Sequence, residues 1–277
     1  MRSWWCNACS AALTSGFFVL TLSIDLLGTE TSRPTLRLTV EQITALGLRV
    51  WDNESNRRYE GLTTWNEGER FASLGIGHFI WYPMGSEERF EESFPALILF
   101  LKQRSEPVPE WLMDENVVCP WRTREMFLAQ FNSSRMRQLR EFLAATVPAQ
   151  SEFMVGRLMA SLPKMLNNAP IERRHLIERQ FEGLITTPRG LFALLDYVNF
   201  KGEGINQSER YRGEGWGLLQ VLDAMPEDSL GDPLNHFIQS ASMVLTRRVR
   251  NSPPARDEKR WLKGWIVRVQ SYREKLD

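Results

Sequence analysis

The spacing of apolar residues predicts a helix near the start of the body of the chain. In the string EQITALGLRVWD, over residues 41–52, apolar side chains recur at intervals of three and four positions, the period of one helix face. Thr39 and Gln42 have the spacing of a capping box, which favours a helix that starts at about residue 40. The helix is predicted to end at about residue 52 and to place Glu54 just past its C-terminal end.

A β-like stretch follows, from about residue 57 to residue 83. The helical period disappears there, and glycines divide the chain into short runs of β-branched and aromatic residues. In SLGIGHFIWYP, over residues 73–83, Gly75 and Gly77 fall within a predicted strand, directly before His78. Such glycines serve either tight packing against a helix or the floor of a ligand site. We expect Gly77 to serve packing and Gly75 to lie nearer a groove.

After residue 83 the pattern is helical almost throughout. Amphipathic runs such as SEFMVGRLMASLPKML and IERRHLIERQFEGLI follow one another, with short connections that place successive helices side by side. The sequence therefore predicts an α+β fold, mostly α, with a small β-ribbon lobe and a larger helical lobe. No repeat or internal boundary interrupts residues 31–277, which are expected to form a single domain.

The composition is that of an ordinary globular protein. The 277 residues include 34 Lys+Arg and 34 Asp+Glu, and 43% are hydrophobic. This charge balance gives no reason to expect nucleic acid or an anionic membrane as a partner. The ten tryptophans either fill the core or line a groove, where indole rings stack on flat ligands such as sugar rings.

Residues 1–30 differ from the rest of the chain. Arg2 precedes an apolar run that Asp25 interrupts, which predicts a signal peptide or an N-terminal anchor and no other membrane span. We therefore expect an exported protein, either periplasmic or secreted. Cys6 and Cys9 lie in this segment and Cys119 stands alone in the body, so no internal disulfide is expected.

Polar side chains gather around the predicted ribbon in an arrangement that suits sugar chemistry. Glu54 precedes the ribbon, which holds Asn66, Glu67, Glu69 and Ser73. Glycoside cleavage needs a carboxyl that protonates the glycosidic oxygen, and a carboxylate or a positioned water on the other face. Glu54 is the candidate acid, and the Ser73 hydroxyl is a candidate for positioning the water. Asn66 and Glu69 are candidates for substrate contacts.

The order of these residues resembles that of the phage-type lysozymes, the endolysin branch of the lysozyme-like superfamily. In that family the first helix ends at a catalytic Glu, and a β-hairpin then carries an acid, a hydroxyl residue and the string G-I-G-H. Glu54 matches the catalytic Glu, Ser73 matches the hydroxyl residue, and residues 75–78 match the string letter for letter. The position of the second acid, six residues before the hydroxyl, is held by Glu67.

The resemblance covers about residues 40–82 and implies a lysozyme-like fold that cleaves β-1,4 bonds of peptidoglycan or a related amino-sugar polymer. It leaves hydrolase and lytic transglycosylase open. The second carboxylate also stays open, because Glu67 stands where the family has Asp and Glu69 lies nearby. The alternative function is an inactive lysozyme-like envelope protein that binds a glycan or a partner. His78 is expected to be structural, bonding a carboxyl or a carbonyl where the lobes meet.

A glycine-rich segment, residues 197–222, holds a second group of polar side chains. It includes Tyr197, Asn199 and Gln220, with Glu203 in a Gly-Glu-Gly turn. The segment is either a solvated loop or a polar rim of the sugar cleft. On the second interpretation, Tyr197, Asn199 and Gln220 contact the substrate.

Neither a metal nor a cofactor is expected. The histidines His78, His175 and His236 lie far apart and lack the spacing of metal ligands. The chain also contains no phosphate-binding loop and no nucleophile elbow.

Overall fold

A computed structural model of the chain describes residues 19–20, 38–86, 90–114, 117–227 and 231–276. The signal or anchor predicted for residues 1–30, with Cys6 and Cys9, lies outside the described residues apart from positions 19 and 20. None of the helices within these ranges combines the length and the apolar character needed to cross a membrane.

The described chain is mostly helical with short antiparallel strands, which confirms the predicted α+β class with a majority of helix. The helices are α1 (Val40–Ser55), α2 (Phe94–Gln103), α3 (Arg124–Ala129), α4 (Ser134–Ala145), α5 (Val147–Asn168), α6 (Ile171–Ile185), α7 (Pro188–Lys201), α8 (Leu218–Asp223), α9 (Pro233–Asn251) and α10 (Lys259–Gln270). The strands are β1 (Val19–Leu20), β2 (Leu38–Thr39), β3 (Thr63–Thr64), β4 (Ala72–Leu74), β5 (Phe79–Trp81), β6 (Arg210–Tyr211) and β7 (Glu214–Gly215).

Helix α1 begins at the predicted capping box. The backbone N–H of Gln42 donates to Thr39 Oγ1 at 3.2 Å, and the N–H of Thr39 donates to Gln42 Oε1 at 3.0 Å. The helix continues to Ser55, three residues beyond the predicted end, and stops at Asn56 in the left-handed conformation with φ 52°. Glu54 therefore lies in the last turn of α1 rather than just past it.

The β-ribbon is a three-stranded antiparallel sheet in the order β3-β4-β5. Thr64 pairs with Ser73, and Ser73 in turn pairs with Ile80. The expectation that Gly75 and Gly77 lie within a strand is wrong, because residues 75–78 form the turn that joins β4 to β5. Gly75 (φ 73°) and His78 (φ 50°) both adopt left-handed backbone, which an extended strand cannot accommodate.

Helix α5 lies at the centre of the helical lobe and packs against α1, α2, α6 and α7. Most of the buried apolar side chains form one cluster that extends from Leu38 to Tyr272 and includes both the ribbon and the helices. The β-lobe is therefore joined to the helical lobe by a shared core.

Four of the tryptophans of the described residues are buried in the core, whereas Trp261 is exposed; the buried four are Trp65, Trp81, Trp121 and Trp216. Trp81 and Trp121 are fully buried, and their rings are 6.1 Å apart in an edge-on arrangement. Trp81 also lies against Phe94, at 4.7 Å between ring centroids. No tryptophan of the described residues lines the groove at Glu54.

Helix α5 also fixes the turn at residues 75–78. The Ile76 N–H donates to Gln150 Oε1 at 3.0 Å, and Gln150 Nε2 donates to Leu143 O at 2.6 Å. A Cβ added to Gly75 would lie 2.5 Å from Gln150 Oε1. Gly75 is therefore required both by its backbone conformation and by its contact with a buried amide.

We expect Gly75→Ala to lower the free energy of unfolding by about 1–3 kcal/mol, through left-handed strain and the displaced Gln150 contact. Gly156→Ala is the matched control, because Gly156 is exposed within α5 and an added Cβ there meets nothing within 4 Å. The control should be neutral or stabilising by up to about 1 kcal/mol. Urea unfolding of both variants measures the difference, and equal stabilities would contradict the role given to Gly75.

Candidate functional site

An open groove of about 580 Å³ separates the ribbon from the helical lobe. The end of α1 contributes Glu54, and the ribbon contributes Ser73, Gly77 and His78. The opposite wall comes from α5, α7 and the loop that follows α7. The groove thus brings together residues from before, within and long after the β-ribbon.

Glu54 is held in the groove by side chains from three other parts of the chain. Arg268 Nη2 donates to Glu54 Oε1 at 2.6 Å, and Asn199 Nδ2 donates to the same oxygen at 3.1 Å. The second oxygen, Oε2, lies 3.4 Å from His78 Nδ1. The Glu54 side chain keeps 15% of its surface exposed, so the carboxyl is fixed in position yet still reaches the groove.

A buried carboxylate stands behind Glu54 and fixes Arg268. Asp196 is fully buried in α7, and it accepts from Arg268 Nε at 2.9 Å and from Arg268 Nη2 at 2.7 Å. The Tyr272 hydroxyl also donates to Asp196 Oδ2 at 2.7 Å, and Asn53 Nδ2 donates to Asp196 Oδ1 at 3.0 Å. Burial raises the pKa of Asp196, but attraction to Arg268 and these hydrogen bonds outweigh it, so the pKa is lowered overall.

The ribbon side of the groove contributes Ser73 and His78, of which His78 contacts Glu54. Ser73 lines the groove with 4% of its surface exposed and lies in the central strand of the sheet. His78 contributes Nδ1 to the contact with Glu54, whereas its Nε2 is buried without a hydrogen-bond partner in the described structure. The carboxyl that His78 faces where the lobes meet is therefore Glu54 itself.

The predicted acidic residues of the ribbon are separated by the structure. Glu69 lines the groove, and Asn66, which also lines it, donates from Nδ2 to Glu69 Oε2 at 3.1 Å. Glu67 is exposed and does not belong to the groove lining. Glu69 is therefore the ribbon carboxylate that shares the groove with Glu54.

Of the predicted substrate-binding residues in the glycine-rich segment, Asn199 lines the groove and contacts Glu54. Tyr197 is fully buried, and its hydroxyl donates to Trp216 O at 2.9 Å. Gln220 accepts from Gly217 N and donates to Gly204 O. Tyr197 and Gln220 thus lie outside the groove lining, because their polar atoms hold the backbone of the segment.

The two glycines of the turn are placed in the reverse of the expected order. Gly77 lines the groove, while Gly75 lies outside the lining and against Gln150. A Cβ on Gly77 would lie 3.0 Å from Met154 Sδ, a flexible side chain that also lines the groove.

Sequence reasoning missed Arg268 and Asp196. Asp196 had a usable signal, because it is the single acid in the apolar run LFALLDYVNF of residues 191–200, and such an acid is buried with a partner. Arg268 had no such sequence signal, since it is one of several basic residues in α10 and lies 214 positions from Glu54.

Within the described ranges, no group of three or more His, Cys, Asp or Glu side chains is arranged to hold a metal ion. Comparisons with family models, with curated proteins and with solved structures find nothing that matches this chain.

We expect Arg268→Met to destabilise the protein by about 3 kcal/mol or more at neutral pH, because it leaves the Asp196 carboxylate buried without its cation. Lys263→Met is the control, since Lys263 is exposed on the same helix, and it should change stability by less than about 0.5 kcal/mol.

The effect of Arg268→Met should depend on pH in a defined direction. The native pKa of Asp196 is lowered, so its stabilising contribution is complete above the ordinary aspartate pKa of about 3.9 and is lost as pH falls through the lower native value. The difference between wild type and Arg268→Met should therefore shrink in acid. Unfolding curves at neutral and acidic pH test this, and a difference that grows in acid would contradict it.

Proposed function

We propose that this chain is a lysozyme-like enzyme that cleaves β-1,4 bonds of peptidoglycan or a related amino-sugar polymer, with Glu54 as the general acid. The observation that carries the proposal is the position of Glu54 in the groove, on the last turn of α1 and in contact with His78 of the turn at residues 75–78. The resemblance of Glu54, Ser73 and residues 75–78 to phage-type lysozymes supports the same assignment.

The contacts of Glu54 indicate which of its oxygens would carry the proton. Oε1 accepts hydrogen bonds from both Arg268 and Asn199, so a proton there would lose two donors. Among the described residues, Oε2 has only the longer contact with His78 Nδ1 at 3.4 Å. In this proposal, Oε2 donates the proton to the glycosidic oxygen as the bond to the leaving sugar breaks.

The second carboxylate is assigned to Glu69. It shares the groove with Glu54, and the hydrogen bond from Asn66 orients it. Ser73 lies in the same groove and supplies a hydroxyl that can hold the attacking water. Either the carboxylate or the positioned water would then act on the face of the sugar opposite Glu54.

A second candidate function is an envelope protein that binds a glycan without cleaving it. The observation that favours it is the engagement of Glu54 by Arg268, Asn199 and His78. A carboxyl with these partners holds the two lobes together whether or not it donates a proton. Export of the protein to the cell envelope belongs to both proposals.

We expect Glu54→Gln to lower the rate of clearing of purified cell walls by about 10² or more, because the amide keeps the shape but cannot donate the proton. Its melting temperature should be compared with that of wild type, so that a folding defect is recognised. Activity within threefold of wild type would remove Glu54 from the acid role. Wild-type protein that binds cell walls without clearing them would favour the second candidate.

The ribbon acids provide an internal comparison. Glu69→Gln should lower activity by about 10² or more, since it removes the charge that faces the reacting sugar. Glu67→Gln changes the same residue type two positions away, outside the groove, and should leave activity within about twofold. The same wall-clearing assay decides between them. A loss in Glu67→Gln alone would return the second carboxylate to the position that the family resemblance implies.

A further inference from the structure

The loop after α7 brings two carboxylates, Glu203 and Glu209, to the helical wall of the groove, and its backbone is fixed most closely at Glu203. Glu203 lies between Gly202 and Gly204, whose φ angles are 77° and 83°. The carbonyls of Gly202 and Glu203 accept from Leu218 N and Leu219 N, both at 3.0 Å. The first turn of α8 thus fixes the backbone on which Glu203 stands.

Gln220 locks the same loop from behind. Its Nε2 donates to Gly204 O at 3.0 Å, and its Oε1 accepts from Gly217 N at 2.9 Å. A Cβ on Gly204 would lie 2.1 Å from Gln220 Oε1, and one on Gly217 would lie 2.2 Å from Gly204 N. This close backbone approach leaves Glu203 little freedom to move away from the groove.

The side chain of Glu203 lines the groove with 21% of its surface exposed. Its ion pair is with Lys164, whose Nζ lies 3.7 Å from Oε1, well beyond the 2.6 Å of the contact between Arg268 and Glu54. Burial raises the pKa of Glu203, and the attraction of the Lys164 charge offsets this rise only in part. A carboxylate that has lost water without gaining a short ion pair still has acceptor capacity toward the groove.

We propose that Glu203 is a ligand-binding residue whose carboxylate accepts hydrogen bonds from the hydroxyl or amide N–H groups of an amino sugar bound on the helical wall of the groove. This inference rests on the proposed function and adds a contact on the wall that faces the ribbon. Hydroxyl and amide donors suit this position, because a carboxylate offers two oxygens that accept hydrogen bonds and has no donor of its own.

A purely structural role for Glu203 makes a different prediction. Lys164 Nζ also lies 3.8 Å from Glu91 Oε2, between β5 and α2, so Glu203 could serve only to hold a lysine that links this segment to the loop after α7. If so, removing Lys164 should have the same effect as removing Glu203. Lys164→Met therefore separates the two roles, since it removes the ion pair and leaves the carboxylate in the groove.

Binding is measured by calorimetry with tetra-N-acetylchitotetraose and by sedimentation with purified peptidoglycan, in full-length Glu54→Gln protein so that the ligand is not consumed. In that background, Glu203→Ala should weaken binding by about tenfold or more, the effect of losing a charged hydrogen-bond acceptor. Glu203→Gln keeps one acceptor oxygen and should lose less. Lys164→Met should stay within about twofold.

Glu214→Gln is the matched control, a glutamate in the same glycine-rich segment that pairs with Arg247 outside the groove, and it should bind like the parent. Normal binding by Glu203→Ala would overturn the assignment of Glu203 and leave the proposed function standing. An equal loss in Lys164→Met and Glu203→Ala would also overturn it, in favour of the structural role. Failure of the parent to bind either ligand would overturn the proposed function, and this assignment with it.

Discussion

The buried pairing of Arg268 with Asp196 is the interaction on which the site depends. Asp196 is fully enclosed, and a carboxylate in that position is tolerated only with a cation and further hydrogen-bond donors beside it. Arg268 meets this need with two of its nitrogens and also reaches Glu54. One guanidinium therefore ties α10 to α7 and to the end of α1. The arginine that neutralises Asp196 therefore also fixes the position of Glu54.

The ribbon is attached to this framework through its turn. Gln150 on α5 accepts from the backbone of Ile76, and Gly75 provides the left-handed conformation that allows this approach. The same turn places His78 in contact with Glu54. The two walls of the groove are thus set by separate contacts, a buried amide on the ribbon side and a buried ion pair on the helical side. Both contacts lie outside the groove itself.

Local features of the fold could be predicted from the sequence, and long-range ones could not. The capping box of α1 depends on residues three positions apart, so the start of this helix can be predicted from the sequence. The composition of residues 73–83 predicts strand where the structure has a turn, because apolar and aromatic composition does not report a positive φ at a non-glycine residue such as His78. Tyr197 and Gln220 are polar yet satisfy their own segment, which composition cannot distinguish from a binding role. The role of Arg268 could not be predicted, because tertiary packing brings it to its partners Glu54 and Asp196.

The separation of 214 positions between Glu54 and Arg268 also bears on how the protein folds. Contacts this distant close a long loop, and the entropy of that closure opposes their early formation. The pairing of α1 with the neighbouring ribbon needs only short loops and can precede the docking of α10. On this basis we expect Glu54 to acquire its arginine late, after most of the secondary structure is present. Loop-closure entropy thus predicts that the groove at Glu54 is completed after the helices that form it.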